Sequence, residues 1–137
     1  MNTSDPFVLP LAGRKVFRIA ISRYVPYLRI EFSDLVPDSV RGPDCSLVLE
    51  GPLRLESGGE TIEIDPKNGP HVAYVGLVEK TVLAATAYPD GSLRVEFTDG
   101  DVLSVAPDRY EPWQLEPLDG EGLSVISLAG GGLSISN

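Results

Sequence analysis

Apolar and polar residues alternate with a period of two along most of the chain, which is the pattern of half-buried β-strands. Near the start, Phe17, Ile19 and Ile21 are predicted to share one face. The segments 28–32 and 93–97 place Leu, Ile or Val, and Phe on the predicted inner face, and an Arg and a Glu on the outer face. We expect those outer charges to be solvated. The pattern predicts a mainly β fold.

Two segments of the chain are close copies of each other, which indicates an internal duplication. The sequence LRIEFSD at 28–34 recurs as LRVEFTD at 93–99. Matching strands precede and follow both copies, so 9–66 and 77–136 are predicted to be related antiparallel β-meander halves. Because a unit of about 65 residues has a marginal core of its own, we expect the halves to pack as a single domain over 1–137.

The duplication predicts equivalent strands in the two halves. Strands over 14–22, 26–33 and 46–50 should superpose on those over 80–87, 92–98 and 102–106, with Phe32 and Phe97 in equivalent buried places. At most one short helix is predicted, near 69–78. Gly-rich turns predict a final hairpin with strands over 123–128 and 133–136. These strands carry few charges, so one of them at a sheet edge would favour a homodimer.

The connection after the first copy of the repeat is much longer than the connection after the second. Residues 33–45 (SDLVPDSVRGPDC) stand where the second half needs only TDG. Long loops are tolerated by stability and often carry function. The apolar residues Leu35, Val36 and Val40 in this loop either cover the core or present an apolar contact to a partner.

Charge limits the kinds of partner. Twenty acidic and eleven basic residues give a net charge of −9, which repels phosphate backbones and attracts a basic protein surface. A basic stretch at 14–29 and an acidic stretch at 96–121 either neutralise one another across a sheet or leave the acidic stretch exposed for docking. The sequence therefore favours a basic protein partner and no nucleic acid.

Targeting and cysteine content point to the cytoplasm. Cys45 is the single cysteine, so no intramolecular disulfide is possible, and a reducing compartment suits it. The start of the sequence lacks a basic segment followed by an apolar run, and no stretch approaches the ~18 apolar residues of a membrane span. We expect a cytoplasmic protein without membrane contact.

Few residues have the types and spacing that catalysis needs. His71 is the single histidine, so a two-histidine metal site cannot form. Asp99 and Asp101 flank a turn glycine and offer too few oxygen ligands for calcium. No G-x-S-x-G segment is present. The sequence predicts no catalytic residue, no metal and no cofactor, and it favours a non-enzymatic function.

Several motifs together resemble a family of small bacterial proteins of unknown function. They are L-x-G-x-x-V near the start, EGPLRLESGG followed by IDP, G-x-L-x-V-x-F-x-DG, YEPWQL, and GGGLSIS at the end. That family carries a Tyr-Glu-x-Trp segment followed by a Gly-Gly hairpin near the C-terminus. The resemblance covers roughly residues 9–136 and implies a shared fold, but it assigns no catalytic residue. The longer loop at 33–45 departs from the family.

The segment YEPW at 110–113 contains the single tryptophan of the chain. Pro112 permits only an edge strand or a bulge. A bulge would bring Tyr110 and Trp113 into the core and leave Glu111 to pair with a neighbour. The alternative is that Trp113 is exposed as a platform for a ligand.

Two classes of function remain open. The first is a non-enzymatic protein-binding module, such as an immunity or antitoxin-like protein that captures a basic partner. The second is a small-molecule binder or hydrolase with a pocket between the two β halves, using Trp113, Tyr110 and Glu111. The candidate binding residues are Asp108, Glu111, Trp113, Glu116, Asp119, Leu35 and Val36.

Overall fold

Strands dominate the structure, a computed structural model that describes residues 5–21, 28–33, 45–66, 76–108, 110–117 and 122–136. The described residues form twelve strands, which confirms the prediction of a mainly β fold. They are β1 (Phe7–Val8), β2 (Lys15–Ile21), β3 (Leu28–Ser33), β4 (Cys45–Leu49), β5 (Leu53–Ser57), β6 (Glu60–Ile64), β7 (Val82–Ala87), β8 (Leu93–Phe97), β9 (Val102–Val105), β10 (Trp113–Pro117), β11 (Ser124–Ser127) and β12 (Leu133–Ser136).

The strands form two six-stranded antiparallel sheets. Sheet A has the order β1-β7-β8-β9-β5-β6, and sheet B has the order β12-β11-β10-β4-β3-β2. Each sheet combines the three-stranded meander of one half with later strands of the other half, which are the β5–β6 hairpin in sheet A and β10, β11 and β12 in sheet B, and β1 is the sixth strand of sheet A. The halves are therefore interleaved and do not stand as separate units.

The two meanders repeat each other down to their irregularities. Val16 of β2 pairs with Phe32 of β3, and Val82 of β7 pairs with Phe97 of β8. A β-bulge follows each of these valines, between residues 16 and 18 and between residues 82 and 84. Both phenylalanines are buried. The predicted duplication, with equivalent buried Phe side chains, is confirmed.

The hairpin that follows each meander crosses to the other sheet. The β5–β6 hairpin adds to β9, with Leu53 opposite Val105, while β10 adds to β4, with Trp113 opposite Leu49. Leu49 and Val105 occupy matching places in the two meanders, so Trp113 is the counterpart of Leu53. The repeat in the sequence does not predict this exchange, because strand alternation does not identify the neighbouring strand.

One hydrophobic core lies between the inner faces of the two sheets. It joins inward side chains of both meanders, both hairpins and the segments that contain Leu9, Leu11 and Leu77. The sheets also meet at one corner, where the N–H of Val16 donates to the carbonyl of Lys80 at 2.9 Å. Because the halves exchange hairpins and share this core, neither half has a complete core of its own.

Two predictions about the first meander are wrong. The bulge turns Phe17 outward, where it is 48% exposed, and Val16 takes the core position. Ile21 is 46% exposed, but it lies opposite the buried Leu28 and shares that face with Ile19, as predicted. Glu31, predicted to be solvated, is only 4% exposed. Arg18 reaches it with two hydrogen bonds, of 2.5 Å from Nε and 3.0 Å from Nη2, so the buried carboxylate has a partner.

Several predicted features fall outside the described residues. Gly76 and Leu77 lie in a 3₁₀ turn, and the rest of the predicted helix near 69–78 is outside the described ranges. The same holds for most of the loop at 33–45. The predicted residues outside these ranges are Leu35, Val36, Val40, His71 and Asp119.

Candidate functional site

Trp113 is a core residue that ties the two sheets together. Its side chain is 1% exposed, and its Nε1 donates to the carbonyl oxygen of Gly91 at 2.8 Å. The same oxygen accepts a hydrogen bond of 2.7 Å from Oγ of Ser127. Gly91 lies in the turn between β7 and β8 of sheet A, whereas Trp113 and Ser127 belong to sheet B. The prediction of a structural corner is confirmed for Trp113, and its indole is not an exposed ligand platform.

Tyr110 and Glu111 lie on the surface, whereas Pro112, directly before Trp113, is buried. Tyr110 is 73% exposed, so the prediction that both aromatic rings turn inward is wrong for this residue. The carbonyl of Pro112 accepts hydrogen bonds from the N–H groups of Glu50 and Gly51, at 2.8 and 3.0 Å. These bonds fix the chain where β10 begins, and Tyr110 lies ahead of that point. Glu111 is exposed.

The acidic stretch predicted for docking is largely paired with basic side chains. Nζ of Lys80 contacts the carboxylates of Asp99 and Asp101, the latter at 2.9 Å. Its hydrogen bond is the main cause that lowers the pKa of Asp99, and the N–H of Asp101 adds to this effect. On sheet B, Nη2 of Arg29 lies 3.4 Å from Oε1 of Glu116. Lys80 is part of this neutralisation although it lies outside both charged stretches.

The remaining sequence-predicted binding residues among the described ones are Asp108, Glu111 and Glu116. The side chain of Asp108 is partly exposed, and its carbonyl accepts a 2.8 Å hydrogen bond from the N–H of Gly130. Glu111 borders a small gap beside Trp113, while Glu116 lies on the outer face of sheet B. A binding role for these residues stays a prediction.

Exposed charge on the described surface is strongly acidic. Two basic residues, Arg18 and Arg54, are exposed there. Nine acidic residues in the same part of the chain are exposed, and they are Asp5, Glu50, Glu56, Glu60, Glu63, Glu79, Asp90, Asp99 and Glu111. Three of the nine lie on the β5–β6 hairpin, at the edge of sheet A, and we call Glu56, Glu60 and Glu63 the acidic hairpin surface.

A cleft of about 720 Å³ opens on the outer face of sheet A. Both halves of the sequence line it, because β5 and β6 come from the first half and β8 and β9 from the second. Arg54, Ser104 and Arg94 form a row across three neighbouring strands, since Ser104 is opposite both arginines. We call this row with its surrounding walls the arginine cleft.

Each arginine of the cleft is held by one glutamate. Nη2 of Arg54 donates to Glu63 at 3.0 Å, and Nε of Arg94 donates to Glu96 at 3.0 Å. The hydrogen bond to Glu96 is the largest cause of the raised pKa of Arg94, and burial acts weakly against it. The other N–H groups of the two guanidiniums make no hydrogen bond to the described part of the chain. They are therefore available as donors to a ligand.

The matching row on sheet B has a buried residue at its centre. The row is Gln114, Val48 and Arg29, and Val48 is buried. The gap there, next to Trp113, has a volume of about 10 Å³, which is too small for anything beyond a water molecule. The duplicated scaffold thus carries an open cleft beside the row on sheet A and a buried valine at the centre of the matching row on sheet B.

A family model described as a family of unknown function, DUF6188, matches residues 7–137. The chain belongs to the DUF6188 family. This membership agrees with the resemblance to an uncharacterised family that the motifs indicate. No curated protein and no solved structure matches this DUF6188 chain.

The described residues of this DUF6188 protein contain neither a group of metal-ligand side chains nor a membrane-spanning helix. Among its described residues, no group of three or more His, Cys, Asp or Glu side chains is placed to hold a metal ion. Over the same residues, none of the helical structure is long and apolar enough to cross a membrane. Cys45, the single cysteine of the chain, is partly buried and packs against the core.

The sequence prediction missed the arginine cleft of this DUF6188 chain. The alternation predicts Arg94 only as a solvated outward position and makes no prediction for Arg54, which lies 40 residues earlier in the sequence. Their proximity depends on the pairing of β5 with β9, which crosses between the two halves. The available signal was the Arg-x-Glu pattern shared by residues 54–56 and 94–96, which marks equivalent outward positions but not adjacent strands.

Proposed function

We propose that this protein is a non-enzymatic binding module that captures a partner protein with a basic surface. The observation that carries the proposal is the exposed charge, with nine acidic residues against two basic ones over the described surface. Such a field increases the association rate of a cationic partner and discriminates against acidic ones. An immunity or antitoxin-like role, in which acidity neutralises a basic toxin, is the biological form of this function that we propose.

The acidic hairpin surface is the part of the molecule best suited to this partner. Glu56, Glu60 and Glu63 are exposed on two paired strands, and β6 is the edge strand of sheet A. An edge strand also offers backbone groups to an extended segment of a partner. This location replaces the stretch at 96–121 as the proposed docking surface, because four carboxylates of that stretch contact basic side chains, whereas the ion pair on the hairpin, between Glu63 and Arg54, is exposed.

Charge reversal at matched positions tests this proposal. The protein is immobilised at low salt, captured proteins are identified, and the purified partner is titrated by calorimetry. Replacing Glu56, Glu60 and Glu63 with Lys should weaken the complex by at least about tenfold, which corresponds to ~1.4 kcal/mol. The matched control replaces three other exposed acids, Asp5, Glu50 and Glu79, with Lys, so that the net charge changes equally.

The two triple variants separate a local surface from a general field. A loss of affinity in the hairpin variant alone, with binding that weakens as salt rises, supports the proposal. Equal losses in both variants contradict the hairpin location. The proposal fails if no protein is captured above the level of blank resin, or if the captured partner binds both variants as tightly as the unmodified protein.

We also propose self-association through β12. This strand is the outer edge of sheet B, contains no charged residue and exposes Ile135 at 39%. The other three edges carry features that discourage pairing. β1 has two residues, β2 has a bulge and the exposed Arg18, and β6 carries Glu60 and Glu63. Two copies of β12 related by a two-fold axis would extend sheet B across the dimer.

A further inference from the structure

The arginine cleft has a donor arrangement that the fold does not need. Arg54 and Arg94 lie on either side of Ser104, two strand spacings or roughly 9.5 Å apart at the backbone. Both side chains leave the outer face of the sheet, and both are long enough to reach one group held above Ser104. In the structure each guanidinium is directed to its own glutamate, Arg54 to Glu63 on β6 and Arg94 to Glu96 on β8. Rotation of both side chains over Ser104 would bring together planar paired donors of the kind that recognise carboxylates.

The present partners of these arginines hold them weakly. The side chains of Arg54 and Glu63 are 54% and 75% exposed, and those of Arg94 and Glu96 are 43% and 38% exposed. Ion pairs at such exposure contribute little to stability. A ligand can therefore share or replace one glutamate contact without cost to the core.

The duplicated face on sheet B provides an internal comparison. There the second arginine is replaced by Gln114 and the central residue is the buried Val48, and the remaining Arg29 is paired with Glu116. This scaffold is thus compatible with a row that has a buried central residue and a single arginine. The open cleft and the second arginine of sheet A are not requirements of the repeat.

The walls of the cleft indicate what accompanies the anionic group. Next to the arginine row lie Tyr88, Pro52 and Pro107, with Ala106 beside them. These side chains offer an aromatic ring and rigid apolar surface in the same cleft as the two arginines, and Glu63 and Asp65 also line it. Ligand sites combine mostly apolar walls with a few polar groups that fix orientation. An inorganic ion would leave this apolar wall unused.

We infer that the arginine cleft binds a small organic carboxylate, with the carboxylate above Ser104 between Arg54 and Arg94 and an apolar body against Tyr88 and the two prolines. The net charge of −9 opposes the approach of an anion at long range. At physiological salt this repulsion is screened over about 8 Å, so the contacts in the cleft decide affinity. The inference does not depend on the capture of a basic protein.

Titration of the full chain with phenylpropionate, followed by amide resonances in nuclear magnetic resonance spectra, tests the inference. Shifts should concentrate at residues 53–54, 92–94 and 104–106, which line the cleft. The neutral isostere phenylpropionamide has the same apolar body without the charge, and it should bind at least about tenfold more weakly. Inorganic phosphate forms a third titration, because it supplies an anion without an apolar body.

Variants of the two arginines provide the second measurement. Arg54→Gln and Arg94→Gln should each weaken phenylpropionate binding by about tenfold, while Lys15→Gln, the same charge change on sheet B, should leave it unchanged. Thermal melts confirm that each variant is folded. The inference is overturned if phenylpropionate causes no shifts up to its solubility limit, if the shifts lie elsewhere, if the amide binds equally well, or if phosphate binds more tightly than the carboxylate. It is also overturned if the two arginine variants bind like the unmodified protein.

Discussion

Gly91 lies in the turn between β7 and β8, and adding one methyl group there tests how closely the final hairpin packs on sheet A. The residue has a φ of +95°, and a Cβ built on it would lie 2.9 Å from Oγ of Ser127 and 3.3 Å from backbone atoms of Gly132. We expect Gly91→Ala to lower the free energy of unfolding by about 2–5 kcal/mol. Of this, ~1–2 kcal/mol comes from the left-handed backbone and ~1–3 kcal/mol from the contact with the hairpin.

Gly100 provides a control with nearly the same backbone conformation. Its φ is +96°, and nothing lies within 4 Å of a Cβ built there. Gly100→Ala should therefore cost only the backbone part, about 1–2 kcal/mol. The entropy that alanine removes from the unfolded chain is the same at both sites, so it cancels when the two variants are compared.

Denaturant unfolding of the two variants gives the difference directly. Gly91→Ala should be less stable than Gly100→Ala by about 1–3 kcal/mol. Ser127→Ala removes the nearest crowding atom, so it should reduce the cost of Gly91→Ala when the two changes are combined. If the two glycine variants are equally destabilised, the packing of the β7–β8 turn under the final hairpin is wrong.

Three further predictions follow from single contacts. Phe32→Ala and Phe97→Ala should each lower the free energy of unfolding by about 3–5 kcal/mol, because the two rings occupy equivalent core positions. A small effect at either site in chemical unfolding would contradict the equivalence. Asp99 contributes stability above its unfolded-state pKa of about 3.9, and this stability is lost as the pH falls through the lowered pKa of the folded state. Lys80→Met should reduce this contribution. The stability difference from the unmodified protein should therefore be present at neutral pH and shrink in acid, and a constant difference across pH would refute this linkage. Ser134→Lys places a charge on the β12 edge and should convert a dimer to a monomer in light scattering, whereas a monomeric unmodified protein at high concentration would rule out the edge dimer.

Local patterns in the sequence were sufficient for the elements of this fold. Alternation in LRIEF and LRVEF predicts strands with Phe32 and Phe97 inward, because side chains along a strand point to opposite faces with a period of two. The turn glycines end these strands, since positive φ is costly for other residues. The repeated segment also established that two meanders exist. These features depend on neighbours within a few residues.

Tertiary structure decided which strands are neighbours, and the candidate site depends on that. The hairpins change sheets because both sheets must bury their inner faces in one core, and this requirement acts between residues far apart in sequence. The exchange places Arg54 beside Ser104, in the same row as Arg94. It also buries Trp113 against Gly91. The bulge that turns Phe17 outward likewise follows from its pairing with β3. A period-two pattern specifies the face of a side chain but not the side chain next to it on the neighbouring strand, so the sequence alone could not predict the cleft.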